Sequence, residues 1–304
     1  FYAYTAYLFL IGGFVFYADK YKRNKLIKRE RDEAAIREAK LKAEAAELRT
    51  QAAEAQAKVL ESENERKTHE LEEARKLQLS MLPTVIPKIP ELEIGVYMRT
   101  ATEVGGDYYD FYKDDSGVLT GVIGDATGHG LRAGTMVSVI KWEFLNSCDD
   151  EELLQFFDRC NKTIRKMNLW NLYMAMILFR YQNNKLKIAS AGMPPILIKH
   201  HKSNYVETLC IKGMPLGAFE EFPYREEEIT LDRGDTVLFL SDGIAEQFNH
   251  NKEVLGYERV KKIFEETNNA HPKEVVKKLV EFSENWSKDV PQNDDITLLV
   301  LKVK

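Results

Sequence analysis

Asp107, Asp125, Asp242 and Asp294 stand where strand propensity would not place an acid. Asp is depleted in strands, yet Gly121-Val-Ile-Gly-Asp125 and Val237-Leu-Phe-Leu-Ser-Asp242 are apolar runs that finish on one. Asp294-Asp295 opens the last apolar run, Ile296-Thr-Leu-Leu-Val300, and Asp107 sits between Gly105-Gly106 and Tyr108-Tyr109-Asp110-Phe111. If these strand ends converge, several carboxylates share one small volume. Like charges that close stay ionised only when cations neutralise them. Oxygen donors with no Cys or His among them favour hard ions, Mg²⁺ or Mn²⁺, over zinc. Glycines flank the acids at 105, 106, 124, 128, 130 and 243. They permit tight turns in which a backbone carbonyl, such as that of Ala126, also reaches an ion. Each motif alone has a plainer reading, because Asp-Gly is a common turn and an acid after a strand often caps a helix. Four in one chain outweigh it.

The elements that must bring these acids together follow from the apolar pattern. Strands are expected at Ile94–Thr100, Val118–Gly124, Tyr173–Tyr181, Lys185–Ser190, Pro195–Lys199, Thr236–Ser241 and Ile296–Val303. Helices are expected at Leu131–Asn146, Glu151–Asn168, Tyr257–Glu266 and Lys273–Ser287. Consecutive strands joined by turns as short as Asn183-Asn184 favour antiparallel sheets with packed helices over a βαβ repeat, an α+β fold. Upstream, Ala34 to Leu82 contains neither Gly nor Pro and is rich in good helix formers. Ala34, Leu41, Ala45, Leu48, Ala52, Ala55 and Val59 follow a 3-4 spacing broken only at Glu38, the stripe of a parallel coiled coil and hence of a homodimer. The phase slips after Val59 and resumes at Leu60, Leu71, Ala74 and Met81, with Asn64, Lys67 and Gln78 as interruptions. A slip of this kind alters the supercoil locally and is a place to store a switch; the plainer reading is a solvated spacer helix. Pro83, Pro87 and Pro90 end the helix and mark a domain boundary.

Composition shifts along the chain. Residues 1–18 carry no charge, and Asp19 to Arg31 then hold seven Lys/Arg against two acids. This reads as the end of a transmembrane helix with a positive-inside flank, placing the chain in an inner membrane as the C-terminal piece of a longer protein, with everything downstream in the cytoplasm. The expected domains are therefore a transmembrane helix at 1–18, a juxtamembrane and coiled-coil helix at 19–82, and a catalytic domain at 83–304. Residues 1–82 have a net charge of +2 and the other 222 a net charge of −7. An acidic catalytic region argues against nucleic acid as substrate. Cys148, Cys160 and Cys210 are too few and too scattered for a disulfide framework or a zinc site.

Taken in order, five stretches resemble one family. They are Glu103-Val-Gly-Gly-Asp107-Tyr-Tyr-Asp-Phe111, Gly124-Asp-Ala-Thr-Gly-His-Gly130, Ser190-Ala-Gly-Met-Pro-Pro195, Leu240-Ser-Asp-Gly-Ile244 and Asn293-Asp-Asp-Ile-Thr297. The chain from about Leu77 onward is similar to the bacterial PP2C-like serine phosphatases of the SpoIIE/RsbU type. The resemblance implies an αββα sandwich of two antiparallel sheets flanked by helices. It also implies two Mn²⁺ or Mg²⁺ ions bridged by Asp125, with the Ala126 carbonyl on one of them and Asp242 and Asp294 on the second. Asp107 would act on metal-bound water, with direct metal contact left open, and Asp295 could exchange roles with Asp294. Water between the ions would attack phosphorus in line, with no protein nucleophile. The chain accordingly has no Gly-x-Ser-x-Gly elbow, Cys-x5-Arg loop or Walker loop.

The position two residues after Asp125, a His in the eukaryotic-type branch, is Thr127 here. His129 is the nearest candidate to protonate the leaving oxygen, with a structural role at a helix start as its alternative. Ser190–Pro195 is expected to be structural. The implied substrate is a phosphoserine or phosphothreonine protein, a STAS-type anti-sigma factor antagonist. The competing expectations are an inactive phosphoprotein-binding module and a two-metal hydrolase of another phosphoester such as a nucleotide.

Overall fold

The computed structural model describes residues 2–147, 152–169 and 171–304. Cys148 and Glu151, the expected start of the second helix, lie outside the described residues. The chain divides into two compact units, Phe1–His69 and Glu70–Lys304. Helix α1 (Tyr2–Met81) makes up the described part of the first unit and ends in the second.

The expected membrane helix at 1–18 is overturned, because no helix among the described residues is long and apolar enough to cross a membrane. The placement as a single-pass inner-membrane protein falls with it. Tyr2, Tyr4, Tyr7, Tyr17, Thr5 and the Gly12-Gly13 pair dilute the run. Charge follows at once, with Asp19 paired to Arg23 at 2.9 Å within the same helix.

The second unit is built on two five-stranded sheets, all of whose pairs are antiparallel. One contains β1 (Leu92–Arg99), β10 (Ile296–Val303), β9 (Thr236–Leu240), β6 (Ile196–His200) and β7 (Tyr205–Leu209), in that spatial order. The other contains β2 (Asp107–Lys113), β3 (Leu119–Ala126), β4 (Met174–Gln182), β5 (Lys185–Ala191) and β8 (Glu226–Thr230). Ile123, Ile177, Phe179, Phe239 and Leu299 fill the space between the sheets, where the Phe179 and Phe239 rings stack at 4.8 Å. Met174, Met176 and Leu178 of β4 point the other way, onto α2 (Leu131–Ser147) and α3 (Leu153–Met167). On the opposite sheet, Leu238, Leu240, Leu298 and Val300 pack outward onto α4 (Tyr257–Glu265) and α5 (Pro272–Ser287). Both faces of each sheet are thus covered, so the central strands are continuous apolar runs. Cys160, on the inner face of α3, is buried, and Cys210 is exposed.

Three strands had no counterpart among the expected ones: β2, β7 and β8. All three are sheet edges. Charged side chains on an edge block pairing with other chains and erase the apolar signature of a strand. The Glu226-Glu-Glu-Ile-Thr230 sequence of β8 shows this most plainly, with Lys185 paired to Glu228 at 2.7 Å.

Candidate metal centre

At one end of the sandwich, strand register and loop closure bring the four aspartates together. Asp107 opens β2 and stands opposite Asp125, near the end of β3, in the antiparallel ladder. Asp242 begins the short 3₁₀ turn η1 (Asp242–Ile244) that follows β9, and Asp294 precedes β10. Two hydroxyls link the sheets: Ser241 Oγ and Thr297 Oγ1 both donate to Asp107 Oδ2, at 2.8 and 2.6 Å. Ser241 precedes Asp242 and Thr297 follows Asp294 by three residues, so these bonds fix Asp107 to both acids of the other sheet.

The carboxylates act on one another. Burial, then the charges of Asp107, Asp242, Asp294 and Asp295, push the Asp125 carboxyl up to about 9. Asp107, 1% exposed, is held well above the carboxylate range by burial, and Asp242 is raised to about 6 by burial and then by Asp294. Asp294 is raised more modestly, again mainly by burial, with His129 among the influences that lower it. A protein gathers acids at this electrostatic expense where a cation is to be held.

The surroundings fit hard cations. A Cβ at Gly106 would come within 2.6 Å of the Ala126 carbonyl oxygen and 2.9 Å of Asp125 Oδ1, so only glycine leaves those oxygens open on that side. At Gly243 a Cβ would lie 1.9 Å from the Asp295 carbonyl oxygen, which makes glycine obligatory after Asp242. Among the described residues no three His, Cys, Asp or Glu side chains are already gathered into a ligand cage. The donors near one another here are carboxylates and the Ala126 carbonyl, oxygen ligands of the kind that Mg²⁺ or Mn²⁺ takes.

Asp295 is placed differently from Asp294. It is buried, and it accepts from three backbone N–H groups: Ala101 on Oδ1 at 2.7 Å, and Gly106 and Asp107 on Oδ2 at 2.5 and 3.2 Å. Asp294 is exposed and accepts only locally in the described contacts, from the Asp295 N–H at 2.8 Å. Thr127 is tied to the residue that leads into β4, its Oγ1 accepting from the Tyr173 N–H at 2.9 Å. His129 is exposed between Gly128 and Gly130, both at positive φ.

Sequence reasoning missed Gln78, Ser241 and Thr297. Gln78, taken as an interruption of the coiled-coil seam, is 5% exposed and donates to the Gly105 carbonyl at 2.6 Å while accepting from its N–H at 2.9 Å. The last turns of α1 thereby hold the loop that carries Asp107. The available signal was a polar residue inside an otherwise apolar setting, as with Thr297 within Ile296-Thr-Leu-Leu.

Comparison with known proteins agrees with this architecture. The family model described as Stage II sporulation protein E (SpoIIE) matches residues 115–304, a stretch that holds Asp125, Asp242 and Asp294 and begins after Asp107. The phosphoserine phosphatase RsbU of Bacillus subtilis is 29% identical over 239 residues, 77% of this chain and 70% of that protein. The SiaA-PP2C domain of Pseudomonas aeruginosa superposes with a TM-score of 0.70 at 19% identity, over 79% of this chain and 98% of that one. RsbX, solved in complex with magnesium, superposes with a TM-score of 0.55 at 15% identity, over 72% of this chain and 99% of that one.

Proposed function

The chain belongs to the SpoIIE family of PP2C-type phosphoserine phosphatases, and from that premise we propose that it removes phosphate from phosphoserine or phosphothreonine on a regulatory protein. The convergence of Asp107, Asp125, Asp242 and Asp294 on one end of the sandwich carries this reading. In it Asp125, the Ala126 carbonyl, Asp242 and Asp294 hold two divalent cations, Mn²⁺ or Mg²⁺. RsbX, of the same fold, was solved with magnesium. Such ions supply activated water and neutralise charge on the phosphoryl oxygens.

The chain's own groups do the rest. Ser241 and Thr297 both occupy Oδ2 of Asp107, leaving Oδ1 to accept a proton from the attacking water. His129, near enough to Asp294 to lower its pKa, gives a proton to the leaving seryl oxygen. The substrate class implied by the family resemblance is a STAS-type anti-sigma factor antagonist. The test is phosphate release from a phosphoserine protein by the purified chain. Release should require Mn²⁺ or Mg²⁺ and stop with EDTA; release that persists in EDTA would sink the reading.

Control through a dimeric coiled coil belongs to the same proposal. Leu41, Leu48 and Val59 of the stripe are 60%, 66% and 60% exposed in the single chain, an apolar seam that a second helix would cover. Leu48→Asp is expected to weaken dimerisation about 30-fold or more, the low end of the cost of losing one buried leucine, and to shift turnover. Unchanged sedimentation together with unchanged turnover would make the helix a spacer.

A further inference from the structure

The segment after Asp242 doubles back beside the metal centre as a locked hairpin. Ala245 and Glu246 donate to the Asp242 carbonyl at 2.8 and 3.0 Å. Residues 245–249 then run antiparallel to 253–256: Gly256 N–H donates to Ala245 O at 2.8 Å, Leu255 to Gln247 at 2.9 Å and Asn249 to Glu253 at 3.0 Å. The tip is tied by Asn249, whose Oδ1 accepts from Asn251 and Glu253, both at 2.9 Å. Below, Gln247 Oε1 accepts from Ser283 Oγ at 2.5 Å and its carbonyl from Trp286 Nε1 at 3.3 Å, bolting the hairpin to α5. Arg259 donates to the carbonyls of Val254 and Leu255 at 3.1 and 2.9 Å and stacks on Trp286.

Burial alternates along the first arm. Ala245, Gln247 and Asn249 face inward, and Glu246, Phe248 and His250 face out. Val254 pairs with Phe248 across the hairpin, so both project on one side, 42% and 37% exposed. Tyr257, 39% exposed, follows directly. Single exposed apolar residues are ordinary. A cross-strand apolar pair on a loop fixed from beneath, a few residues from Asp242, is a prepared contact surface.

We propose that Phe248 and Val254 receive the apolar side chain flanking the phosphorylated serine of the protein substrate. This rests on the phosphatase reading. Glu246 shares the outward face of the first arm with Phe248, Glu253 adjoins Val254 in the second, and the cationic Arg259 is engaged with backbone and ring, so the pair offers apolar surface and no free positive charge to an acidic occupant. Continuity with Asp242 through the Ala245 and Gly256 bonds makes that occupant the substrate itself.

The test compares two phosphoserine decapeptides with Mn²⁺ and the full chain, one with leucine and one with serine at the positions flanking phosphoserine. The wild type should turn over the leucine peptide about 10-fold better in kcat/KM, the scale of one buried aliphatic contact. Phe248→Ser with Val254→Ser should bring the two peptides within about twofold while p-nitrophenyl phosphate turnover is unchanged. Val254→Thr, close in shape, should fall between.

Equal turnover of both peptides by the wild type overturns the proposal without any variant. So does a leucine preference that survives in the double variant. An altered sedimentation coefficient with an unaltered peptide ratio would assign the face to a second copy and overturn it as well. Failure of the wild type on p-nitrophenyl phosphate and both peptides would instead strike the phosphatase reading.

Discussion

Asp125→Asn should abolish metal-dependent phosphate release and, in the same protein, raise the melting temperature of the metal-free form. Loss of activity is expected at roughly 10³-fold or more, the scale for removing a group that stabilises the reacting centre. The stabilisation follows from the local field. Burial and then Asp107, Asp242, Asp294 and Asp295 push the Asp125 carboxyl to about 9 from an ordinary 3.8. Its folded pKa lies above its unfolded pKa, so folding takes up a proton. The contribution to metal-free stability is whole below the unfolded value and is lost as pH rises through about 9. At neutral pH the loss is on the order of 2 kcal/mol after allowance for relaxation and solvent, which asparagine does not incur. The variant should therefore melt about 5 °C higher without metal and show a flatter dependence on pH. Mn²⁺ should raise the melting temperature of the wild type and leave that of the variant nearly fixed. Melting curves at pH 6 and pH 8, with and without Mn²⁺, decide it. A variant that melts lower than wild type in EDTA and is still protected by Mn²⁺ would count against Asp125 as the shared ligand.

The same crowding explains what was legible in the sequence. Asp125 and Asp242 stand out because both faces of their sheets are covered, so that β3 and β9 are continuous apolar runs in which an acid is conspicuous. Edge strands lose that contrast. β2 carries Asp107 and Asp110, and the latter is spent on Lys141 and on the Tyr108 hydroxyl rather than on the centre. Gln78 was misread for a related reason: the helical stripe treats a polar residue as a defect, whereas its partner is the backbone of Gly105, 27 positions away. The membrane reading failed on local composition, since a count of uncharged residues at 1–18 does not weigh the tyrosines and glycines among them.

Asp294 and Asp295 put that limit to a direct test, because adjacency in sequence gives no means of ranking them while their hydrogen-bond surroundings differ. Asp295 satisfies three backbone N–H groups of the segment leading into Asp107. Asp295→Ala leaves those donors buried or strained, at about 1–3 kcal/mol for each unsatisfied group. A destabilisation on the order of 4 kcal/mol and a melting temperature lower by about 10 °C are expected. Activity would fall with the loop that aims Asp107. Asp294→Ala removes an exposed carboxylate that raises its neighbours' pKa values. The metal-free protein should then melt at or slightly above the wild-type temperature. The Mn²⁺ concentration for half-maximal turnover should rise at least about 10- to 100-fold, the range found when only the groups supporting a metal's ligands are disturbed. The two variants are thus separated by melting in EDTA and by metal titration of activity. If Asp295→Ala melted like wild type while losing metal dependence, the roles would be exchanged and Asp295 would be the ligand.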